Sequence, residues 1–281
     1  MIALFRTEMS KQLRRIRTYV TLGVMSAIPI LITVSLKYGG RGERHEGQGD
    51  SLFRLARQSG VVVPAAALAV MSGFFLVIVV AVFAGDIVAG EASWGNLRYL
   101  LVRPISRRRL LSAKLAVAFV FACVATALIF VVGLAAGVLA FGWHPIDVPL
   151  LGIHQSASQL VQHVAVVTAY IAWNMSSVVA LGFLVSTMTD VATGGTFAAA
   201  GFVFISEILD AIPSLGFLRY GLPTHYLNAW TDFVVVPGNS TGSALSHVHA
   251  EMLRGLLVQV PYIAVFCGVA FWWFARKDIT S

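Results

Sequence analysis

Cysteine and charged residues are both scarce in this sequence. The two cysteines, Cys123 and Cys267, are too few for a disulfide framework or a zinc cluster. Charged residues make up 12% of the 281 residues, whereas hydrophobic residues make up 58%. A water-soluble domain of this length cannot hide that much apolar side chain in one core. The composition therefore predicts an integral membrane protein.

A phosphate-binding loop is also missing. Such a loop needs Gly-x-x-x-x-Gly-Lys followed by Ser or Thr, because backbone amides and the lysine together hold the phosphates. None of the four lysines follows a glycine; they are Lys11, Lys37, Lys114 and Lys277. The sequence also shows no Ser/His/Asp, Cys/His or paired-carboxylate arrangement with suitable spacing. We therefore expect that the chain is not an enzyme and holds no cofactor or metal of its own.

Long apolar runs are abundant, and each is able to form a helix across a membrane. A hydrocarbon core roughly 30 Å thick takes about 20 apolar helical residues to cross. We count six predicted spans, at approximately residues 19–36, 61–83, 115–141, 164–185, 191–209 and 256–274. In the third span, Gly133 and Gly137 are spaced for close helix packing. Because no internal repeat or linker is visible, residues 1–281 are predicted to form one all-α membrane domain.

The N-terminal residues predict an amphipathic helix at the membrane interface. Its apolar residues recur at three- and four-residue spacing and are Ile2, Phe5, Met9, Leu13 and Ile16. Most lysines and arginines fall before the first span, between the second and third, and after the last, which predicts cytoplasmic termini. The first outer loop runs against this rule with Lys37, Arg41, Arg44, Arg54 and Arg57. The net charge of +7 indicates contact with lipid headgroups rather than with nucleic acid.

A charged, helix-compatible segment separates the second and third predicted spans. Residues 90–109 read Gly-Glu-Ala-Ser-Trp-Gly-Asn-Leu-Arg-Tyr-Leu-Leu-Val-Arg-Pro-Ile-Ser-Arg-Arg-Arg. Pro104 ends a first helix after Arg103, and Ser106 can cap the next one. Taken alone, the segment fits an interfacial helix whose arginines bind lipid phosphates. It also resembles the cytoplasmic coupling segment of the type-2 ABC export permeases, in which an acidic residue, a leucine pair, Arg-Pro-x-Ser-Arg and a basic cluster follow the second span.

A second resemblance precedes the last span. The stretch 215–255 is too long for a plain connection, and the prolines in and near it predict short re-entrant or interfacial helices. Within it, Leu-Pro-Thr-His-Tyr-Leu at residues 222–227 resembles the motif of the re-entrant helices that type-2 export permeases carry between their last two spans. The two motifs and the six-span pattern together cover nearly the whole chain.

The resemblance implies a permease subunit of an ATP-driven ABC exporter in a bacterial plasma membrane, which moves a lipidic, peptide or drug-like substrate. It implies two separate ATPase subunits that bind ATP and magnesium, and a second permease copy or a related permease as a partner. The residues it assigns to ATPase coupling are Asp86, Glu91, Trp94, Leu97, Arg98, Leu100, Leu101, Arg103, Pro104 and Arg107. A secondary transporter would show inverted repeats or a midplane charge pair, which we do not see. A membrane-complex subunit without an ATPase partner is the other alternative.

Polar residues inside predicted spans are costly and need a partner or a function. Tyr170, Asn174 and Ser177 of the fourth span either line a substrate path or join helices by hydrogen bonds. Glu207 and Asp210 share one helical face near the outer end of the fifth span, where they either attract a cationic substrate or are simply solvated. All seven histidines fall on the outer side in this topology, and isolated loop histidines usually face water rather than a metal.

Overall fold

The computed structural model describes residues 2–39, 48–93, 106–148, 153–235 and 242–276, and these are almost entirely helical. The α-helices are, in chain order, α1 (Ile2–Leu13), α2 (Ile16–Tyr38), α3 (Gln48–Gln58), α4 (Val63–Met71), α5 (Phe75–Asp86), α6 (Ala89–Ser93), α7 (Arg107–Phe141), α8 (Ala157–Met188), α9 (Ala192–Asp210), α10 (Thr231–Val235) and α11 (Gly242–Arg276). Two 3-10 helices span Gly60–Val62 and Pro213–Gly221. Strands β1 (Ile146–Val148) and β2 (Ile153–Gln155) form a short antiparallel hairpin between α7 and α8.

Four helices in the described part of the chain are long and apolar enough to cross a membrane. They are α2, α7, α8 and residues Ser246–Arg276 of α11. These helices contain the predicted first, third, fourth and sixth spans. The prediction of an essentially all-helical, membrane-embedded protein is therefore confirmed, whereas the number of six spans is not.

The predicted second span, residues 61–83, is not one straight helix. Helix α4, with the 3-10 turn before it, meets α5 at an angle of 66°. The break lies at residues 72–74, where Phe74 has φ −126° and ψ −66°, outside the helical range. The Ser72 N–H still bonds to Leu68 O, and the next helical ladder begins with Ile78 N–H bonding to Phe74 O. Hydropathy alone cannot show such a break, because the residues on both sides are equally apolar.

The predictions for the fifth and sixth spans hold only in part. Helix α9 covers the predicted fifth span, but its polar first turn and acidic end leave it outside the four apolar helices, so this span stays a prediction. The last helix begins at Gly242 rather than near residue 256, because residues 242–255 contain no proline to interrupt it. The stretch predicted to be re-entrant therefore stops before residue 242. Its described part consists of the 3-10 helix Pro213–Gly221, a run of turns and α10.

Helix α8 lies at the centre of the bundle and packs against α5, α7, α9 and α11. Where α5 meets α9, a Cβ atom on Gly85 would lie 2.4 Å from Thr196 N. Helix α7 passes close to the 3-10 turn and to the start of α4. A Cβ atom on Gly137 would lie 2.2 Å from Gly60 O, and a Cβ atom on Gly133 would lie 3.1 Å from Pro64 Cα. The close packing predicted for the two glycines of α7 is therefore confirmed, and small residues are what permit it.

Candidate functional site

Four charged side chains from three helices form one buried ion-pair network, here called the charged cluster. Its members are Glu8 and Lys11 of α1, Glu91 of α6 and Lys114 of α7. Lys114 Nζ lies 2.7 Å from Glu8 Oε2 and 2.6 Å from Glu91 Oε2. Lys11 Nζ lies 2.8 Å from Glu8 Oε1 and 3.1 Å from Glu91 Oε1. Two ammonium groups thus share two carboxylates, and the cluster is electrically neutral.

Helix α1 turns its polar side to the rest of the protein. Glu8 and Lys11 are three residues apart and therefore share one face of the helix. The buried residues of α1 are Glu8 and Gln12, whereas Ile2 is 77% exposed and Leu13 is also exposed. Ile2 and Leu13 are therefore accessible, whereas Phe5 and Met9 of the same helix pack against the core. The interfacial position of α1 stays a prediction.

Burial makes the charged cluster sensitive to the loss of any member. Lys114 is 1% exposed, Glu8 3% and Glu91 6%. Burial by itself raises the pKa of Glu8, but the charge of Lys114 and the hydrogen bonds from both lysines outweigh it and hold the pKa below its ordinary value of 4.5. Burial lowers the pKa of Lys11, but its two carboxylate partners outweigh this effect and raise the pKa above 10.5. Removal of one member would leave a buried charge without compensation.

A second ion-pair site lies beside the cluster, at the end of α5. The Asp86 carboxylate lies 2.5 Å from Arg15 Nη1 and also pairs with Arg17 at the start of α2. A Cβ atom on Gly90 would lie 2.6 Å from both oxygens of this carboxylate. Position 90 therefore has no room for a side chain while Asp86 keeps its place.

The turn that leads into α6 is held by the end of α8. The N–H groups of Val88 and Ala89 donate to Ser186 Oγ at 3.1 and 2.9 Å. Ser186 is fully buried near the C-terminus of α8. The charged cluster, the Asp86 pairs and this bond together join α1, α2, α5, α6, α7 and α8 at one end of the bundle. We call this set of contacts the anchor region.

The anchor region contains some of the predicted ATPase-coupling residues. Asp86 and Glu91 are buried in ion pairs, and Arg107 begins α7 in a half-buried position. The other predicted coupling residues lie outside the described residues; they are Trp94, Leu97, Arg98, Leu100, Leu101, Arg103 and Pro104. The sequence alone does not identify Lys11 and Lys114 as the partners of Glu91. The signal was available, because a lysine at the edge of an apolar run needs a partner.

At the other candidate site, polar residues of α8 join helices. Tyr170 OH donates to Tyr226 O at 2.6 Å, and Asn174 Oδ1 accepts from Gln259 Nε2 at 2.9 Å. Gln259 Nε2 also donates to Pro223 O at 2.8 Å. Side chains of α8 and α11 thus hold the backbone of the segment between α9 and α10.

The space beside these residues is too small for a substrate. Ser177 Oγ donates to Asn174 O at 3.3 Å. The void that both residues line has a volume of about 10 Å³, roughly the room that one water needs. The sequence left two roles open for Tyr170, Asn174 and Ser177, which were lining a substrate path and joining helices by hydrogen bonds. The observed contacts support the second role.

Asp210 is neutralised by the segment that follows it. His225 Nδ1 lies 2.5 Å from Asp210 Oδ1, and Arg219 Nε lies 3.4 Å from the same oxygen. The hydroxyl groups of Ser206 and Thr224 lie 2.7 Å apart. These contacts fix residues 222–227 against the end of α9, and they give Asp210 a structural partner instead of a free charge.

Glu207 lies in a different environment, at the edge of an open groove of about 720 Å³. The groove, here called the Glu207 groove, lies between the α4–α5 break and the end of α9. Its lining residues are Ala69, Val70, Gly73, Phe74, Phe204, Glu207, Ile208, Ala211 and Asn228. The predicted pair of exit charges is thus separated, because Asp210 is paired and Glu207 faces an apolar surface.

Histidine and acidic side chains form no metal site among the described residues, since no three ligand-type side chains come together there. His225 pairs with Asp210, and His163 packs against Phe233 with ring centroids 5.0 Å apart. These contacts give both histidines a role in packing.

The apolar helices and the buried anchor region define an integral membrane protein of the all-helical class. Residues 53–280 match the family described as "Protein of unknown function (DUF2705)", and the chain belongs to that family. The chain is also similar to "Uncharacterized protein YhcI" of Bacillus subtilis (strain 168), with 24% identity over 241 residues that cover 78% of this chain and 68% of the relative. The family match includes Glu91 and Lys114, whereas Glu8 and Lys11 precede it.

Proposed function

We propose that this protein is the transmembrane permease subunit of an ABC exporter, with residues 94–105 as the segment that binds the ATPase subunit. The observation that carries the proposal is the anchor region. It holds α6, which immediately precedes this segment, and α7, which follows it, through Glu91 and Lys114 in a single ion pair. The resemblance of residues 90–109 to a coupling segment supplies the class of transporter.

A segment that transmits motion between subunits needs rigid attachment at both ends. Glu91 and Lys114 hold the two flanks of residues 94–105 to each other and to α1. Asp86 and Ser186 hold the end of α5 and the turn before α6 to α2 and α8. A displacement of the segment would therefore move α5, α7 and α8 together. On this proposal Asp86 and Glu91 act by holding the segment, not by touching the ATPase.

The proposed partners are two ATPase subunits, which bind ATP and magnesium, and a second permease copy. Both termini then lie in the cytoplasm of a bacterial cell, and the cargo is a lipidic, peptide or drug-like molecule. Closure of the ATPase subunits around ATP moves the segment and changes the side of the membrane to which the transport path opens.

The test compares Leu100→Ala with Leu257→Ala in complexes purified into lipid nanodiscs. Leu257 is exposed on α11 and is not part of the proposed docking segment, so it serves as the matched control. Truncation of an interface anchor costs about 2 kcal/mol or more, which is over tenfold in affinity. We expect a cassette ATPase to co-purify with the wild-type chain and with Leu257→Ala, and to be lost from Leu100→Ala.

Substrate-stimulated ATP hydrolysis by the purified complex is the second readout. Glu91→Ala should reduce this stimulation even where the ATPase is retained, because the segment then loses its attachment to α7. If no ATPase accompanies the wild-type chain and both variants behave as wild type, the protein is a membrane-complex subunit without an ATPase partner and the proposal is wrong.

A further inference from the structure

The Glu207 groove exists because the apolar run between residues 61 and 83 is broken. The 66° bend between α4 and α5 turns Gly73 and Phe74 toward the end of α9, where Phe204 and Ile208 complete the wall. The volume of about 720 Å³ lies within the range of small-molecule sites, roughly 300 to 1,000 Å³. Its walls are mainly apolar, and they include one carboxylate.

That carboxylate has no counter-ion among the described residues. The two basic side chains nearest in sequence, Arg219 and His225, are both engaged by Asp210. Glu207 itself is half-buried, so water reaches only part of its side chain. A charge beside an apolar wall is poorly solvated, and a cation in the same space compensates that cost.

Two further features suit a cationic occupant. The rings of Phe74 and Phe204 lie with centroids 5.4 Å apart, and aromatic faces attract positive charge. Gly73 keeps the carboxylate accessible, because a Cβ atom there would lie only 3.3 Å from Glu207 Oε1. Asn228 adds a polar amide to the lining.

We propose that the Glu207 groove binds an apolar molecule with one positive charge, and that the Glu207 carboxylate is its counter-ion. The inference names a substrate class for the proposed exporter and in that respect rests on the proposed function. The binding step itself depends only on the groove.

The test measures equilibrium binding of tetraphenylphosphonium to the full chain in nanodiscs, with empty nanodiscs as the background. Tetraphenylborate, which has nearly the same shape and the opposite charge, is the matched probe. We expect Glu207→Gln to weaken tetraphenylphosphonium binding about tenfold or more, as loss of a partly desolvated charge partner does, and to leave tetraphenylborate binding unweakened.

Two more variants separate a built site from a general surface charge. Ala211→Phe fills the groove from an exposed position and should also weaken tetraphenylphosphonium binding. Glu251→Gln removes a carboxylate of α11 that does not line the groove, and should change binding less than about twofold. Unchanged binding by Glu207→Gln, or an equal loss with Glu251→Gln, would overturn the proposal.

Failure of this inference is distinguishable from failure of the exporter proposal. Binding is measured without ATP or an ATPase subunit, whereas export is read from tetraphenylphosphonium-stimulated ATP hydrolysis in the complex. If binding depends on Glu207 but the protein has no ATPase partner, the proposed cation site stands and the exporter proposal is wrong.

Discussion

At the scale of single residues, Lys114 holds more of the anchor region than any other side chain. Its ammonium group contacts Glu8 and Glu91 and donates to Ile87 O at 3.2 Å, and only 1% of the residue is exposed. The apolar stem of the lysine is buried with the charge. Its removal therefore leaves two carboxylates facing one remaining cation.

Lys114→Met should destabilise the protein by about 3 to 5 kcal/mol, the usual cost of breaking a buried ion pair from one side. The double variant Lys114→Met with Glu91→Gln should recover part of this loss, because it restores the neutrality of the cluster. Thermal unfolding in nanodiscs gives the measurement. Lys37→Met, at an exposed lysine, is the control; an equal loss there would contradict the role given to the cluster.

Glu8 and Lys11 make stability depend on pH in opposite directions. The pKa of Glu8 is lowered in the folded state, so its stabilising contribution is present above about pH 4.5 and is lost as the pH falls through the folded pKa. The pKa of Lys11 is raised, so its contribution is present below pH 10.5 and is lost as the pH rises through the folded value.

We therefore expect the unfolding temperature to fall between pH 7 and pH 4 more steeply in the wild-type chain than in Glu8→Gln. The variant starts from a lower stability at pH 7 because it has already lost the ion pair. Unfolding in nanodiscs at both pH values measures the difference. A Glu8→Gln protein with the wild-type pH slope would show that another carboxylate causes the acid sensitivity.

At the scale of elements, the sequence predicts the helices that rely on hydrophobic length and misses features that rely on contacts. The apolar runs in α2, α7, α8 and α11 are visible because a membrane helix must be apolar over most of its length. The break at Phe74 is not visible in the hydropathy, since the residues on both sides of it are equally apolar. The sequence also misses the start of α11 at Gly242, because the first turns of this helix are polar and a count of apolar residues does not include them.

The same distinction applies to the candidate sites. Glu91 and Asp86 stand out as acidic residues at the end of a predicted span, so the sequence points to them. Their partners Lys11 and Arg15 are 80 and 71 residues away along the chain, and no local pattern links them. Only the folded contacts show that Asp210 is paired, whereas Glu207 has no ion-pair partner within the part of the chain that the structure describes.

The contact between α5 and α9 leads to a test with two glycines. Gly85→Ala should destabilise the protein by about 1 to 3 kcal/mol, because the new Cβ atom would meet backbone at 2.4 Å, and backbone cannot rotate away. Gly201→Ala, in the same helix α9 that Gly85 contacts, meets nothing within 4 Å and should be neutral or stabilising by about 0.5 to 1 kcal/mol. Thermal unfolding compares the two, and equal effects would contradict the close approach.

At the scale of the whole molecule, the orientation in the membrane follows from the distribution of lysine and arginine and stays a prediction. Ser106, before α7, and Ser158, at the start of α8, are both exposed and lie at the beginnings of consecutive long helices. If α7 crosses the bilayer, these two positions face opposite sides.

A cysteine at position 158 should react with a membrane-impermeant thiol reagent in intact cells, whereas a cysteine at position 106 should react only after the membrane is opened. Both substitutions, Ser158→Cys and Ser106→Cys, are made in a chain in which Cys123 and Cys267 are replaced by alanine. The extent of labelling is read by gel shift. Labelling of position 106 alone in intact cells would invert the proposed topology.

The charged cluster also sets an order of events during synthesis. Glu8 and Lys114 are 106 residues apart, and a ribosome adds about 5 to 20 residues per second. Glu8 must therefore wait on the order of 5 to 20 s for its buried partner, and during that time its carboxylate has to stay in water. Until then Lys11 is the one cation of the cluster that Glu8 can pair with. Completion of the charged cluster is thus a late step of assembly, and a chain that stalls before Lys114 leaves Glu8 and Glu91 with a single cation between them.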